Sequence, residues 1–277
     1  MLITGASGFV GSKVNKLLSN DYEVLGTYYN NPQEGLTYLD ITNSDEVKAI
    51  MDTFQPNLIF HAASMIGLEK CEKSKQEARE TIVDGTKNLV NIAQESNSDI
   101  IYTSTVYVFN GTKGDYAEEN QPNPSNLYGQ LKLEAESEVL KLNKSIVMRF
   151  DMPYGFNGLG QPNGIMSQFL EPNNISLFQG DQMRSPIWLD DIAYITKQLI
   201  DKNAEGIFHI ATERLSKREL FQDLEKLVRR ESLIQESKEN INRPNNTTIN
   251  IAKIRKLGIH LHTYQESLNK IKKRLVN

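Results

Sequence analysis

Two residue patterns in this chain of 277 residues have types and spacings that can do chemistry. Gly5, Gly8 and Gly11 form a glycine turn near the start, and Tyr128 precedes Lys132 by about one helical turn. Positions i and i+4 share one face of a helix, so both side chains can reach one ligand. An ammonium favours the phenolate form, which lowers the pKa of a tyrosine from its usual value of about 10 toward neutrality. Tyr128 is therefore a candidate general acid or base supported by Lys132.

The glycine turn predicts a pyrophosphate-binding site. Its glycines are separated by three and three residues, whereas the commonest Rossmann fingerprint has a spacing of two and three. The physical roles are retained, because one glycine turns the chain, one admits the pyrophosphate and one packs the helix on its strand. Amides and the positive dipole end of the helix complete the site. The residues predicted to contact a cofactor here are Gly5, Ser7, Gly8, Phe9, Val10 and Gly11.

The end of the second predicted strand, at Tyr28 and Asn30, should meet the adenosine ribose. An acid there would bind the ribose 2′-hydroxyl and an arginine would favour a 2′-phosphate, but neither residue type is present. We therefore expect NADP(H) to be favoured and NAD(H) to be accepted. Asp40, followed by Ile41, falls where a carboxylate can meet the adenine amino group, and it can equally be a turn or capping acid. Both interpretations stay open.

Three hydroxyl side chains, Thr103, Ser104 and Thr105, end a predicted apolar strand. Doubly wound sheets bind their ligands at the carboxyl ends of the strands. We expect Thr105 to hold the substrate carbonyl oxygen against Tyr128, and Lys132 to reach the nicotinamide ribose hydroxyls.

Arg184 is a further candidate for substrate binding, because the fork of donors on a guanidinium matches the oxygens of a diphosphate. A surface ion pair is the alternative. His260 and His262 alternate as in a strand, but two ligands without a cysteine or third histidine do not make a zinc site, so no metal is predicted. His209 lies in a predicted buried strand and is expected to be a core residue.

The elements that position these residues alternate between strand and helix through the first 150 residues. This order predicts an α/β fold with a Rossmann-type doubly wound parallel sheet. The predicted strands cover residues 2–4, 23–29, 57–61, 99–104, 145–149 and 207–211. The predicted helices cover residues 11–19, 44–54, 75–96, a segment from near 128 to about 142, 187–201, 216–230 and 264–275. Ser44 is expected to cap the second helix, and Ser216 with Glu219 forms a capping box.

The amino-acid composition of the chain changes after residue 150. Residues 151–186 hold many glycines, prolines and asparagines, which favour loops with short elements. We expect a dinucleotide-binding domain of residues 1–150 plus about 187–211, and a smaller α+β substrate domain of about 151–186 plus 212–277. Substrate specificity is expected in residues 151–186.

Charge and cysteine content limit the partners. With 31 basic and 35 acidic residues the net charge is -4, which attracts neither nucleic acid nor an anionic membrane. No stretch approaches the roughly 20 apolar residues of a membrane span, and no signal-peptide pattern precedes the glycine turn. The single Cys71 excludes an internal disulfide and suits a reducing compartment. We therefore expect a soluble cytoplasmic protein, and a homodimer is left open.

Several segments resemble the extended short-chain dehydrogenase/reductase superfamily, and within it the dTDP-4-dehydrorhamnose reductase family of sugar-nucleotide reductases. Residues 104–111 are similar to that family's Ser-Thr-Asp-Tyr-Val-Phe-Asp-Gly stretch, and residues 128–132 match its Tyr-Gly-x-x-Lys motif. Residues 61–63 resemble its Asn-Ala-Ala segment beside the cofactor. Further similarity covers residues 181–186, 191–193, 206–209, 243–244 and 257–259.

The resemblance implies NAD(P)H-dependent reduction of a keto group, at C4, of a nucleotide-linked deoxysugar. It implies that Thr105 joins Tyr128 and Lys132 in the catalytic group. It also places further residues beside the cofactor, namely Ala62, Ala63, Ser64 and Thr103.

Two departures from the family pattern bear on the chemistry. Val106 replaces an aspartate, and Ile82 stands where many relatives carry an asparagine. A hydrogen bond that supports the active-site strand, or a bound water, is then expected to be missing, which affects rate and proton supply. Relatives that dehydrate sugar nucleotides resemble one another in carrying an Asp-Glu pair after the threonine. Because Val106 and Tyr107 offer no carboxylate at these positions, 4,6-dehydration is not expected. The alternatives are a 4-epimerase of nucleotide sugars, or a non-catalytic NADP-binding regulatory subunit similar to the β subunit of methionine adenosyltransferase.

Overall fold

The structure is a computed structural model that describes residues 1–162, 164–170, 175–178, 182–228, 233–236 and 243–276. Its strands are β1 (Leu2–Thr4), β2 (Leu25–Tyr28), β3 (Thr37–Tyr38), β4 (Leu58–His61), β5 (Asp99–Thr105), β6 (Ser145–Tyr154), β7 (Ile175–Phe178), β8 (Met183–Arg184), β9 (Pro186–Trp188), β10 (Gly206–His209), β11 (Leu215–Ser216) and β12 (Leu233–Glu236). Its α-helices are α1 (Phe9–Leu18), α2 (Ser44–Phe54), α3 (Leu68–Lys73), α4 (Lys75–Arg79), α5 (Gly85–Ser96), α6 (Leu127–Val139), α7 (Gly164–Leu170), α8 (Leu189–Asp201), α9 (Lys217–Val228), α10 (Ala252–Lys256) and α11 (Tyr264–Val276). A π-helical turn, Glu80–Asp84, joins α4 to α5, and a 3-10 turn, Val106–Val108, follows β5.

Eight strands form one parallel sheet. Their order is β10-β6-β5-β4-β1-β2-β3, and β9 pairs with the end of β6. The order reverses between β1 and β4, which is the switch point where doubly wound sheets bind ligands at the carboxyl ends of their strands. The predicted Rossmann-type fold is confirmed.

Two apolar layers cover the two faces of this sheet. On one face Ile59 and Val147 pack against α2, α5 and α6, and on the other Phe60 and Met148 pack against α1, α8 and α10. Side chains alternate between the faces of a strand, so neighbouring residues such as Ile59 and Phe60 enter different layers. The helices that carry the chemistry therefore stand on opposite sides of the sheet, α1 on one and α6 on the other.

A third apolar cluster lies beyond the end of β6. It includes Tyr154, Trp188, Phe221 and Leu268, which come from β6, β9, α9 and α11. Here β8 pairs antiparallel with β11, and β7 pairs parallel with β12. The division of the chain into two domains stays a prediction.

Several element boundaries differ from the sequence predictions. The strand predicted to end at Arg149 continues to Tyr154, and the first two residues of the helix predicted from Ile187 belong to β9. The pairing between β6 and β9 sets both boundaries, because Ile187 lies in register with Pro153 of β6. Residues 260–262, which alternate as in a strand, are in no strand.

The helix caps also differ in part. The side chain of Asn43, not Ser44, caps α2 by accepting from the amides of Asp45 and Glu46. The predicted capping box of α9 is confirmed, because Glu219 N donates to Ser216 Oγ at 3.1 Å and Ser216 N donates to Glu219 Oε2 at 2.7 Å. Residues 229–230 of that predicted helix lie outside the described residues. Among the helices described, none combines the length and the apolar character needed to span a bilayer.

Candidate active site

The glycine turn lies at the switch point between β1 and α1. Gly5 has a φ of +70°, a left-handed value that favours glycine. A Cβ on Gly5 would lie 2.7 Å from the amide nitrogen of Ala63, and one on Gly11 would overlap the carbonyl oxygen of Gly5. Gly8 is the N-cap of α1 and supplies no side chain to it. The backbone alone thus forms the helix N-terminus, which fits a pyrophosphate. The predicted contacts Ser7, Phe9 and Val10 lie half-buried in this turn.

The segment after β4 lies directly against the turn, as the resemblance implies. Ala62 N donates to Thr4 O at 3.2 Å, and Ala63 N donates to Thr4 Oγ1 at 3.3 Å. Ser64 follows, half-buried, with its hydroxyl donating to the carbonyl of Met65 at 3.2 Å. These three residues form the wall of the turn that faces β4.

A buried histidine that the sequence analysis did not single out for chemistry fixes this wall. His61 Nδ1 lies 2.7 Å from Thr4 Oγ1, and Nε2 lies 3.0 Å from Thr86 Oγ1. Because Thr86 donates to the carbonyl of Ile82, it accepts from Nε2–H, and Thr4 donates to Nδ1. Burial first, and then the charge of Lys132, lowers the pKa of His61 to about 3. The neutral ring therefore links β1, the strand before the turn, to the first turn of α5.

The predicted adenosine end is aromatic. Tyr28 is half-buried and packs edge-on against Tyr38, with ring centroids 5.8 Å apart. Tyr29 and Tyr38 are 52% and 47% exposed, and Asn30 is exposed beside them. Stacking surface and hydroxyl groups, rather than a charged side chain, are what this part of the chain offers an adenosine.

Asp40 acts as a turn residue. Its Oδ1 accepts from the amide of Thr42 at 2.9 Å and from the Thr42 hydroxyl at 2.7 Å. Ile41 is buried and packs against Gly85 at the start of α5. Of the two interpretations of Asp40, the structure supports the turn acid, and a contact with adenine stays a prediction.

Tyr128 and Lys132 lie on the face of α6 that covers the end of β5. Lys132 Nζ donates to the carbonyl oxygen of Thr103 at 2.6 Å and lies 4.1 Å from the ring centroid of Tyr102. Tyr128 lies one turn before Lys132 on this face, and the side chain of Thr105 acts on its hydroxyl by lowering the pKa of Tyr128. The three residues predicted to form the catalytic group are therefore brought together.

This group and the glycine turn share one edge of the sheet. Strand β5 neighbours β4, and β4 neighbours β1, so the group lies about 10 Å from the turn across two strand spacings. Thr103 Oγ1 donates to the carbonyl of His61 at 3.1 Å, which joins the two ends of the site.

Burial sets the protonation of the pair. It raises the pKa of Tyr128 well above the usual value, with further upward effects from Cys71 and Tyr107 and a downward effect from the Thr105 side chain. Burial lowers the pKa of Lys132 to about 7, against the upward effects of Glu136 and Cys71. The expectation that Lys132 lowers the pKa of Tyr128 is therefore wrong for the free protein, because loss of water around the hydroxyl dominates.

A buried ion pair lies beneath the catalytic group, and the sequence analysis did not predict it. Glu136, one turn after Lys132, accepts from Arg149 Nε at 2.9 Å and Nη2 at 2.6 Å. Ser104 Oγ also donates to Glu136. Both charged side chains are at most 2% exposed. The pair holds the end of β5 against α6 and β6.

Arg184 is buried, not on the surface. Its Nη1 donates to Met183 O and to Thr247 Oγ1, each at 3.1 Å, and its Nε lies 3.8 Å from Asp151 Oδ2. With a side chain 2% exposed, the surface ion pair expected as the alternative is wrong. A contact with a diphosphate stays a prediction. Asp181, in the similar segment before it, lies outside the described residues.

The two departures from the family pattern both enter apolar surroundings. Val106 is fully buried in the cluster that contains Phe109 and Ile249, and Ile82 is 1% exposed in the π-helical turn. Neither side chain can donate a hydrogen bond to the site.

The side chains of His209 and His262 have structural partners. His209 Nδ1 lies 3.0 Å from the carbonyl of Tyr116, which confirms its core role. His262 Nδ1 lies 2.5 Å from Asp191 Oδ1, and its Nε2 lies 2.9 Å from Lys270 Nζ. Over the described part of the chain, no group of three His, Cys, Asp or Glu residues could hold a metal ion.

Comparison with known proteins agrees with this geometry. The family model of the RmlD substrate binding domain matches residues 1–277. The dTDP-4-dehydrorhamnose reductase of Aggregatibacter actinomycetemcomitans is 30% identical over 298 aligned positions, covering 98% of either chain. Methionine adenosyltransferase 2 subunit beta of Xenopus tropicalis is 32% identical over 79% of this chain and 69% of its own. The dTDP-4-dehydrorhamnose reductase of Bacillus anthracis, solved in complex with NADP, superposes with a TM-score of 0.87 at 24% identity, over 98% of this chain and 97% of its own.

The match of the family model over the whole chain, together with a relative aligned from end to end, shows the family. The chain belongs to the RmlD substrate binding domain family.

Proposed function

We propose that the chain is an NAD(P)H-dependent reductase of a keto group, at C4, of a nucleotide-linked deoxysugar. The observation that carries this proposal is the grouping of Tyr128, Lys132 and Thr105 at the end of β5, on the sheet edge that also holds the glycine turn. The Aggregatibacter actinomycetemcomitans relative, named a dTDP-4-dehydrorhamnose reductase, supports the choice of substrate class.

The cofactor would lie along the carboxyl ends of β1, β4 and β5. Gly5, Gly8 and Gly11 leave room for its pyrophosphate at the N-terminus of α1, and Ala63 and Thr103 border the nicotinamide end. When bound, NAD(P)H supplies the hydride. Tyr28, Asn30 and the turn at Asp40 with Ile41 would surround the adenosine.

The reaction needs a proton donor at the carbonyl oxygen. Thr105 and Tyr128 would both donate hydrogen bonds to that oxygen, so their dipoles are in place before negative charge develops. The raised pKa of Tyr128 keeps its hydroxyl protonated until the alkoxide forms and takes the proton. Lys132 then stabilises the phenolate that remains, and its ammonium can turn from the Thr103 carbonyl to the ribose hydroxyls.

The cofactor preference follows from the adenosine end. With neither an acid nor an arginine at Tyr28 and Asn30, we propose that NADP(H) is favoured and NAD(H) accepted. A preference for NADH of more than about 100-fold in kcat/KM, equivalent to about 2.7 kcal/mol, would contradict this.

The direct test is NADPH oxidation by the purified chain with a panel of 4-keto sugar nucleotides. We expect turnover with at least one 4-keto-6-deoxysugar linked to a nucleoside diphosphate. An epimerase would instead retain bound nicotinamide and interconvert sugars without net oxidation of NADPH. A homodimer and a cytoplasmic location stay predictions, to be measured by analytical ultracentrifugation and by fractionation of the source cells.

A second candidate function is regulation of another enzyme. It is favoured by the 32% identity to methionine adenosyltransferase 2 subunit beta over 79% of this chain. A stable complex with a methionine adenosyltransferase catalytic subunit, with no turnover on any member of the panel, would select this function over the reductase.

A further inference from the structure

Asp151 is a buried carboxylate that the mechanism above does not use. It follows Arg149 by two residues on β6, so both side chains leave the same face of the strand. Arg149 faces Glu136 of α6, the helix that also carries Tyr128. Asp151 therefore lies on the α6 side of the sheet, one step closer to the carboxyl edge where the catalytic group lies.

The backbone at this point is irregular. The pairing of β6 with β9 shifts register between Asp151 and Pro153, and Met152 between them has a φ of +42°. A left-handed value is uncommon for a residue with a side chain, and bulges of this kind re-aim side chains beside active sites. The bulge breaks the regular ladder just after Asp151.

Two cationic side chains flank this carboxylate. Asp151 Oδ2 accepts from Thr247 Oγ1 at 3.3 Å and lies 3.8 Å from Arg184 Nε. Lys217, at the start of α9, is the second cation; burial, then the charges of Arg243 and Arg184, lowers its pKa to about 8, and Asp151 acts in the opposite direction. Asp151 itself is 6% exposed. Burial raises its pKa, and Arg184 is the largest influence that opposes this.

Asp151 also acts on the catalytic hydroxyl. Its negative charge is among the influences that raise the pKa of Tyr128 and of Tyr107, after burial. The rings of these two tyrosines are in edge contact, with centroids 6.2 Å apart. The geometry agrees, because Phe150 of β6 lies in register with Thr105 of β5, which puts Asp151 one residue beyond the catalytic threonine on the neighbouring strand.

We propose that Asp151 is a specificity-determining residue that accepts a hydrogen bond from a sugar hydroxyl next to the carbonyl being reduced. This rests on the proposed function. An ionised carboxylate can only accept hydrogen bonds, which a sugar hydroxyl donates and an ionised diphosphate does not. Of the two halves of a nucleotide sugar, the hydroxyl-bearing sugar is therefore the half that fits beside Asp151, and Tyr128 fixes which carbon lies there. A hydroxyl on the carbon next to the carbonyl is therefore the group that would donate to Asp151.

The test compares two substrates in two proteins. One substrate is a 4-keto sugar nucleotide with a hydroxyl beside the carbonyl, and the other is its deoxy analogue at that carbon. We expect the native chain to prefer the first by about 10- to 100-fold in kcat/KM, in line with a hydrogen bond to a charged group. Asp151→Asn should lose most of this preference, with the loss falling on the hydroxylated substrate.

The split between KM and kcat supplies a readout that a purely structural role would not move. Asp151→Asn should raise KM for the hydroxylated substrate and leave KM for the deoxy analogue unchanged, because only the first substrate donates to the carboxylate. The matched control is Asp99→Asn, which neutralises an aspartate at the opposite end of β5, where it pairs with Lys144 at 3.4 Å. It should leave both the preference and the two KM values in place.

The outcomes separate the two proposals. A native chain that turns over neither substrate overturns the proposed function and the role of Asp151 with it. Turnover of both substrates with equal efficiency by the native chain overturns the role of Asp151 alone. If Asp151→Asn proves unstable, this native comparison can still overturn the role, and Asp151→Ser replaces the variant. The same preference in the native chain and in folded Asp151→Asn would also overturn it.

Discussion

The two ends of the candidate site are built in different ways. At the glycine turn, Gly5, Gly8 and Gly11 contribute only backbone, and a Cβ at Gly5 or Gly11 would collide with main-chain atoms. At the catalytic end, Tyr128 and Lys132 depend on burial, which moves both of their pKa values. The cofactor end therefore depends on the absence of side chains at its glycines. The catalytic end depends on the burial of its side chains, which sets their pKa values.

The largest expected effect is at the catalytic end. Tyr128→Phe removes the proton donor but keeps the ring, so kcat should fall by about 10² to 10⁴ while NADPH affinity changes little. Steady-state turnover and NADPH fluorescence titration measure the two quantities. Turnover close to that of the native chain would show that Tyr128 does not donate the proton.

The next largest expected effect is on stability, at the Arg149–Glu136 ion pair beneath the catalytic group. Glu136→Gln leaves Arg149 buried without its counter-charge, which should lower the free energy of unfolding by about 3 to 5 kcal/mol. Denaturant titration measures it. Glu134→Gln is the control, because Glu134 on the same helix pairs with Arg79 at the surface and should cost at most about 1 kcal/mol. Equal losses in the two variants would contradict the account of a buried pair.

The cofactor end should respond to a single methyl group. Gly5→Ala adds left-handed strain of about 1 kcal/mol and a clash with the backbone of Ala63, so NADPH affinity should fall strongly. The matched control is Gly258→Ala, since Gly258 has a φ of +68° and no atom near its Cβ position. It should share the strain and keep the affinity. NADPH affinity that is as high in Gly5→Ala as in the control would show that the turn does not hold the cofactor.

The last prediction concerns the dependence of stability on pH. Lys132 has a pKa lowered to about 7 in the folded protein and near 10.4 when unfolded, so the unfolded chain binds more protons between these values. The contribution of Lys132 to stability should therefore improve as the pH rises from about 7 toward 10. Comparing the native chain with Lys132→Met by thermal unfolding across this range measures it. A difference between the two proteins that does not change with pH would contradict a lowered pKa.

The sequence predicted the parallel sheet and the glycine turn because both depend on local patterns, namely alternating elements and glycine spacing. It also placed Thr105, Tyr128 and Lys132 in one group, since strand ends and helix faces follow simple periodicity. It did not predict that burial outweighs Lys132 at Tyr128, because the depth of a side chain depends on the packing of distant elements.

Asp151 and Glu136 were missed for a related reason. Arg149 was taken as the last residue of its strand, although the strand continues through Asp151 to Tyr154. The partner of Glu136, which is Arg149, comes from a different element and follows it by 13 residues. Periodicity along one helix or strand does not show such a pair.

The most direct test of the whole account is a crystal structure of the chain with bound NADP⁺. The account predicts the pyrophosphate against the amides at the N-terminus of α1. It also predicts a nicotinamide ribose hydroxyl within about 2.7 to 3.2 Å of Lys132 Nζ, with the Tyr128 hydroxyl facing the nicotinamide. A cofactor whose nicotinamide lies away from Tyr128 and Lys132 would contradict it.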